Sequence, residues 1–459
     1  LVGADRLRTQ ERIEALEAVR DGKTLALDQP VLIVLKASQT DKGPNLDQFE
    51  MTSSFATAKG GGNLDKFNLE LTSDLAAAMK EAAKFVDVGG LNIKGTARLI
   101  AKAATAADVT RATVQVNIAS LQVTQPDRPA IEEEKVSADF TATLNAREGT
   151  VTVDAASLTS AMATISAKGK LSDMATSRTL VADGTLDLNF DRLGPLVAAF
   201  WGEPIEMSGR QARPFHVDTT LAGKNGMAVL RETLANAGFY ATRVKYQDIE
   251  TGVIDLPVTV VKGKATLKID TTINGGRFLF PALVDTAPAV AVLTLPNDTT
   301  VLSGVKITAG LADQFLAKVC PLFKGAVTEH GTVGLLSHSL RASLDAEVVK
   351  TLTFDGELML NGVALKPAGF LKQILSLVGM GATPVVQLPD QRVGLTIQDG
   401  RLIQKPIVFT TGSLPMKLSG SIVLADYTLD MLLEVPVTLE MVGNNQELFA
   451  ALKDETIKI

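Results

Sequence analysis

One cysteine, Cys320, stands in the whole chain, so no disulfide framework within the chain and no metal site built from several cysteines is available. It sits in the run Leu316-Ala317-Lys318-Val319-Cys320-Pro321-Leu322-Phe323, where a buried structural thiol is expected. Aromatic residues make up only 5% of a chain that is 46% hydrophobic, so any buried surface must be built from Ala, Val, Leu and Ile. No long basic stretch occurs and the formal net charge is −6, which leaves counterion release without a source and argues against nucleic acid as a partner. The longest nearly apolar runs, such as Ala287 to Leu295, fall far short of the ~20 residues a membrane-spanning helix needs.

Catalytic signatures are equally scarce. The three histidines are His216, His330 and His338, and none lies in a His-Glu-x-x-His arrangement. No Gly-x-Ser-x-Gly elbow and no phosphate-binding loop is present. The most glycine-rich point, Lys59-Gly60-Gly61-Gly62-Asn63, leads into the strand-like Leu64 to Leu69 and is read as a turn, because a phosphate cradle needs a following helix N-terminus. Glu132-Glu133-Glu134 reads as a solvated face or loop, and Trp201, the only tryptophan, as packing at the end of an apolar helix. No catalytic residue, metal ligand or cofactor is expected, and a glycan-acting enzyme would need a paired acid and base that no motif singles out.

What the chain does have is alternation. Val151 to Asp154, Thr185 to Phe190 and Ala265 to Asp270 place apolar residues on one face and polar ones on the other, as do Ser137 to Leu144, Thr353 to Leu360, Val393 to Ile397 and Leu418 to Leu424. This period of two is the mark of half-buried antiparallel strands. Short amphipathic helices are expected at Asp74 to Val86, with Ser73 or Asp74 as N-cap, and at about Leu193 to Trp201, Leu311 to Phe323 and Pro367 to Val378. The first three are each followed by a Gly-bounded strand, a degenerate repeat of roughly 120 residues. Residues Asp5 to Val19, with Leu7, Ile13, Leu16 and Val19 apolar and Gly22 as a stop, are read as the end of an upstream helix or coiled coil.

The fold class expected is therefore mainly β: a long curved antiparallel sheet forming an open groove, with a few short amphipathic helices packed on it. Three regions follow: 1–23, the N-terminal helix; 24–349, repeated sheet units with interspersed helices; and 350–459, a C-terminal region. Gln125-Pro126-Asp127-Arg128-Pro129 and Leu295-Pro296-Asn297-Asp298 are the best turn-rich breaks. The start at Leu1 and the ending Glu455 to Ile459 read as the ends of a piece of something longer.

A single curved sheet turns its apolar face into the lining of a groove. At ~0.8 kcal/mol per buried methylene, an acyl chain in such a groove gains on the order of 10 kcal/mol before ordering costs, without any polar contact. The lining is expected at positions such as Leu186, Leu188, Leu267, Ile269, Leu358, Leu360, Leu418 and Ile422, with the helices at Leu311 to Phe323 and Pro367 to Val378 capping parts of it.

From about residue 350 to 440 the chain runs through Leu365-Lys366-Pro367-Ala368-Gly369-Phe370-Leu371, then Gln398-Asp399-Gly400-Arg401-Leu402 and Pro406 to Phe409. Met416 to Leu424 and Tyr427-Thr428-Leu429-Asp430-Met431-Leu432-Leu433-Glu434-Val435-Pro436 follow. This order of an Asp-Gly-Arg-Leu turn, a Gly-x-Ile strand and an aspartate-marked strand resembles the C-terminal region of AsmA-like proteins of Gram-negative envelopes. The resemblance implies a non-enzymatic protein of the periplasm, concerned with lipid transport and outer-membrane biogenesis. Its apolar groove would hold or conduct phospholipid or another apolar ligand, and an inner-membrane anchor would lie upstream of this chain. The alternative is a structural or assembly scaffold of the envelope with no lipid transport.

Overall fold

In the computed structural model, the described residues are 6–20, 23–40, 43–63, 65–126, 128–202, 204–221, 227–377, 385–412, 414–439, 442–453 and 455–458. The protein is mainly β: long antiparallel strands with a few short helices, in two compact units, Leu1–Tyr240 and Ala241–Ile459.

The first unit is a meander. Its strands are β1 (Arg6–Arg20), β2 (Lys23–Thr40), β3 (Gly43–Thr52), β4 (Ala56–Asn63), β5 (Lys66–Asp74), β6 (Asn92–Ala106), β7 (Val109–Thr124), β8 (Ile131–Asn145), β9 (Thr150–Thr159), β10 (Ala163–Ser172) and β11 (Thr179–Asn189). Each is hydrogen-bonded antiparallel to the next. After β12 (Ile205–Ser208), strand β13 (Arg210–Thr220) joins β11, and β14 (Leu234–Ala241) follows β13. Two longer helices interrupt the meander, α1 (Leu75–Phe85) after β5 and α2 (Phe190–Trp201) after β11, and a single helical turn, Met227–Leu230, lies between β13 and β14. Since β5 and β11 run in the same direction, both helices leave from the same end of the sheet.

The sequence calls α1 nearly residue for residue. The Asp74 carboxylate accepts the Ala76 and Ala77 amides at 2.9 and 3.0 Å, satisfying two donors the first turn leaves without an intrahelical partner. Val86 is the C-cap and is 57% exposed. Glu81 is buried and accepts the Asp28 amide with both oxygens, tying α1 to β2. Lys80 and Lys84 both reach the Asp28 carboxylate, and the two ammonium groups, Lys80 first, hold its pKa down to about 2.

Residues 6–20 correct the expected N-terminal helix: they are strand β1, paired with β2 from Arg6↔Ser38 to Arg20↔Lys23. The physical reason is non-local. Ile13, Leu16 and Val19 keep helical spacing but Leu7 falls off that stripe, and Lys23–Thr40 offers a partner strand whose pairing along the whole segment overrides so short a helical pattern. The expected stop, Gly22, lies outside the described residues, as do Leu64, Asp127 and Val378.

The glycine run is not a turn either. Gly60, Gly61 and Gly62 form the second half of β4, paired on both sides, with a register shift between Leu46 and Phe49 of β3 opposite them. A Cβ on Gly60 would come within 2.7 Å of the Asn68 carbonyl, and Gly62 has φ +129°, so glycine is what this close strand approach requires. Glu133 is a third correction. It lies in β8, is buried, and accepts the Ala161 and Met162 amides at 2.9 and 3.1 Å, holding the turn between β9 and β10.

The second unit is built differently. Ile254–Val261, Lys264–Ile273 and Gly276–Asp285 pair in succession. Two shorter strands, Val292–Leu295 and Thr299–Lys306, then lie end to end between Gly276–Asp285 and the long Val327–Ser343. Thr353–Lys366 pairs with that strand, the short strands Val386–Leu388 and Gln391–Gln398 repeat the split, and Arg401–Thr411, Leu414–Val423, Leu429–Pro436 and Thr456–Lys458 complete the series. The expected helix from Leu311 to Phe323 is a broken one: α-helical at Ala309–Leu311, π-helical at Ala312–Leu316, α-helical at Ala317–Val319 and 3-10 at Pro321–Phe323. The helix expected at Pro367 to Val378 is Gly369–Leu377, beginning two residues after Pro367.

Candidate apolar face and apolar cavities

Register turns the alternation of single strands into a surface. Residues paired across neighbouring strands point to the same face, so a row of pairs is a row of adjoining side chains. Ile33 of β2 faces Met51, Met51 faces Ala58, Ala58 faces Leu71 and Leu71 faces Leu99. The row continues through Val116, Ala138, Leu158 and Ile165 to Leu186 of β11. Ten strands contribute to it without a polar side chain. At ~4.8 Å between strands it spans roughly 43 Å.

A second row runs beside it, two residues along each strand. Leu35 faces Phe49, then come Gly60, Leu69, Ala101 and Val114, followed by Phe140, Ala156, Ala167 and Gly184 and ending at Phe215 of β13. The first row stops where Leu186 meets Arg213, whose guanidinium lies 5.0 Å from the centre of the Tyr240 ring.

The intervening positions form the other face, which is polar. Arg98 pairs with Glu70 at 2.6 Å, Gln115 donates to Asp139 at 2.9 Å, Ser166 and Thr185 share a hydrogen bond of 2.7 Å, and Arg210 meets Asp187 at 2.9 Å. These cross-strand bridges knit the outside of the sheet while leaving the apolar rows unbroken.

The apolar face is not closed over. Among the described residues of the first unit the buried apolar side chains are Val31, Ala56, Ala58 and Ala142. Phe140 and Leu158, in the middle of the rows, are 39% and 38% exposed. A sheet of this width with so little buried is a single layer, and its apolar side faces no second layer of this unit.

In the second unit the corresponding faces are sealed. Leu311, Leu316, Leu322 and Phe323 of the broken helix and Leu371, Ile374 and Leu375 of Gly369–Leu377 share one buried cluster with strand residues from Val301 to Val435. Cys320 belongs to that cluster, and burial pushes its thiol up to about 12, the pKa of an inert group. Within this unit two cavities adjoin. One of about 360 Å³ is lined by residues that include Phe278, Phe280, Leu295 and Leu302; one of about 180 Å³ by residues that include Val319, Leu358, Leu395 and Leu402. Phe315, Leu335, Leu340 and Phe354 line both.

The eight residues expected to line a groove therefore separate. Leu186 and Leu188 are half-buried on the open face of the first unit. Leu267 and Ile269 are half-buried in Lys264–Ile273, where Leu267 packs against the closed core. Leu358, Leu360, Leu418 and Ile422 are buried in that core and line no open groove, because the helices that the sequence placed as partial caps seal the sheet there. Leu358 instead borders the smaller cavity.

His216 and His338 lie in separate units, each hydrogen-bonded to one carboxylate. His216 meets Asp183 across β11 and β13 at 2.7 Å, on the polar face. His338 meets Asp298 at 2.7 Å, and that carboxylate raises its pKa. Among the described residues no group of three or more His, Cys, Asp or Glu could hold a metal ion, and no helix is long and apolar enough to cross a membrane. The side chain of Trp201 is outside the description. No protein-family model, no curated protein and no solved structure matches this chain.

Proposed function

We propose that the chain is a non-enzymatic carrier of lipid, whose first unit holds or conducts acyl chains along the open apolar face of its sheet. The observation that carries this reading is the pair of uninterrupted cross-strand rows from β2 to β11, flanked by a polar outer face and left uncovered. A hydrocarbon chain is the occupant that asks nothing of a surface except apolar area. Since no position in the rows offers a hydrogen bond, no position holds the chain in preference to the next. A chain can shift along the face at little cost while its polar head stays in water, which is the property a conduit needs.

This reading agrees with the resemblance of residues 350–440 to AsmA-like proteins, and with it a place in the cell envelope between two membranes, with an upstream segment as the anchor. The rival, a structural scaffold without lipid, draws on the sealed core of the second unit, which is what a protein that only packs would show.

The buried state of Cys320 makes the test clean, because an introduced cysteine is then the one reactive thiol. Val116→Cys on the apolar face and Asn117→Cys on the polar face are each labelled with a fluorophore and mixed with vesicles of brominated phosphatidylcholine. Quenching at position 116 and not at 117 is expected. Equal quenching at both, or none at either, contradicts the proposal.

A further inference from the structure

We propose that the two adjoining cavities of the second unit form one pocket for a single hydrocarbon chain, divided by Phe315. The pocket lies wholly within Ala241–Ile459 and is argued from observations separate from those on the first unit.

The walls supply the chemistry. Every lining residue of both cavities is Leu, Ile, Val or Phe, with the stacked rings of Phe278 and Phe280 at 6.2 Å on one side of the larger. The larger chamber has the volume of about a dozen waters at their share in the liquid, yet a water there needs two to four polar partners and finds none. Both chambers are partly open to their surroundings, and walls without a polar atom favour an apolar guest over water there. A guest with internal polar groups would lose its hydration without replacement, so the occupant is hydrocarbon along its length.

Shape narrows the class further. The chambers are in series and share Phe315, Leu335, Leu340 and Phe354, which suits a flexible chain rather than a compact ring system. Phe315 sits in the π-helical turn Ala312–Leu316, where the Ala317 amide donates to the Ala312 carbonyl five residues back. The extra residue in that turn re-aims the side chains after Leu311, and it places the Phe315 ring against both chambers. The start of the broken helix is held by Thr308, which caps Leu311 and accepts from the Asn274 side chain at 3.1 Å.

The test uses the full chain and a palmitic acid with a diazirine at its terminal carbon, supplied either as the free acid or as the acyl group of phosphatidylcholine in vesicles. After irradiation, labelled residues are mapped by mass spectrometry. Labelling at Phe280, Phe315, Leu335 or Leu340, saturating at one chain per protein and displaced by unlabelled palmitate, is expected. Labelling from the free acid alone identifies a fatty acid as the occupant, and labelling from vesicles identifies a phospholipid chain. Leu340→Trp fills part of both chambers and should lower pocket labelling at least tenfold while leaving labelling of Val116 and Phe140 unchanged; if that variant does not fold, the wild-type map decides. No label in the pocket from either source overturns the proposal. A labelled pocket with an unlabelled first unit upholds it and removes the reading of the open face.

Discussion

The two units use one vocabulary, alternating strands and short helices, and reach opposite results. In Leu1–Tyr240 the two longer helices leave from one end of a wide meander and its apolar rows stay half-exposed from β2 to β11. In Ala241–Ile459 the broken helix and Gly369–Leu377 sit within the buried cluster, and side chains such as Phe409, Leu418 and Val435 are sealed. What separates an open face from a core is therefore not the strand pattern, which is shared, but whether an amphipathic helix is laid over it. The difference assigns stability to the second unit and surface to the first.

Mutations should separate the units. Phe409→Ala in the second unit should cost about 3–5 kcal/mol, because it removes a fully buried ring and leaves a cavity. Hydrogen exchange followed by mass spectrometry would show the loss confined to Ala241–Ile459. Glu133→Ala in the first unit should cost about 1–3 kcal/mol by leaving the Ala161 and Met162 amides without their acceptor. Its signature is faster exchange at the turn between β9 and β10. Leu99→Ala, on the open face, should cost about 1 kcal/mol, since its side chain is only half-buried. A loss at Leu99 as large as at Phe409 would break the comparison by showing that the face is covered.

The smallest effects concern pH and have opposite signs. The folded pKa of Asp28 lies below its unfolded value, so its tie to Lys80 and Lys84 stabilises the docking of α1 on β2 above the ordinary carboxylate range. That contribution is lost as pH falls through about 2. Asp28→Asn should thus speed exchange in α1 at neutral pH and make no difference below pH ~2. The folded pKa of His338 is raised by Asp298, so its contribution is complete below the unfolded histidine value and fades as pH rises through the folded one. An NMR titration of His338 in wild type and Asp298→Asn checks it: the variant should titrate at lower pH.

Much of this fold is legible in the sequence, since a half-buried strand writes its alternation into consecutive residues. Val151–Asp154, Ala265–Asp270 and Val393–Ile397 all lie in strands. Asp74 also marks its helix, because a cap is a local device. Non-local features are the ones that escape. Glu133 reads as one of three exposed acids until the β9–β10 turn is brought against it. Gly60 to Gly62 read as a turn because close strand approach, like a turn, calls for glycine. Leu186 and Leu418 have the same alternating surroundings, and only the helices over the second unit make one open and the other closed. The cross-strand rows, on which the proposed function rests, exist only once register is known.

The most direct test of the open face is native mass spectrometry of the chain purified from membranes, with its lipids extracted and quantified alongside. The account predicts phospholipid bound at reproducible stoichiometry above one per chain, reduced when Val116→Glu interrupts the first row and Phe140→Glu the second in a protein that keeps its fold. Folded, lipid-free protein, or a lipid load unchanged by those substitutions, would contradict it.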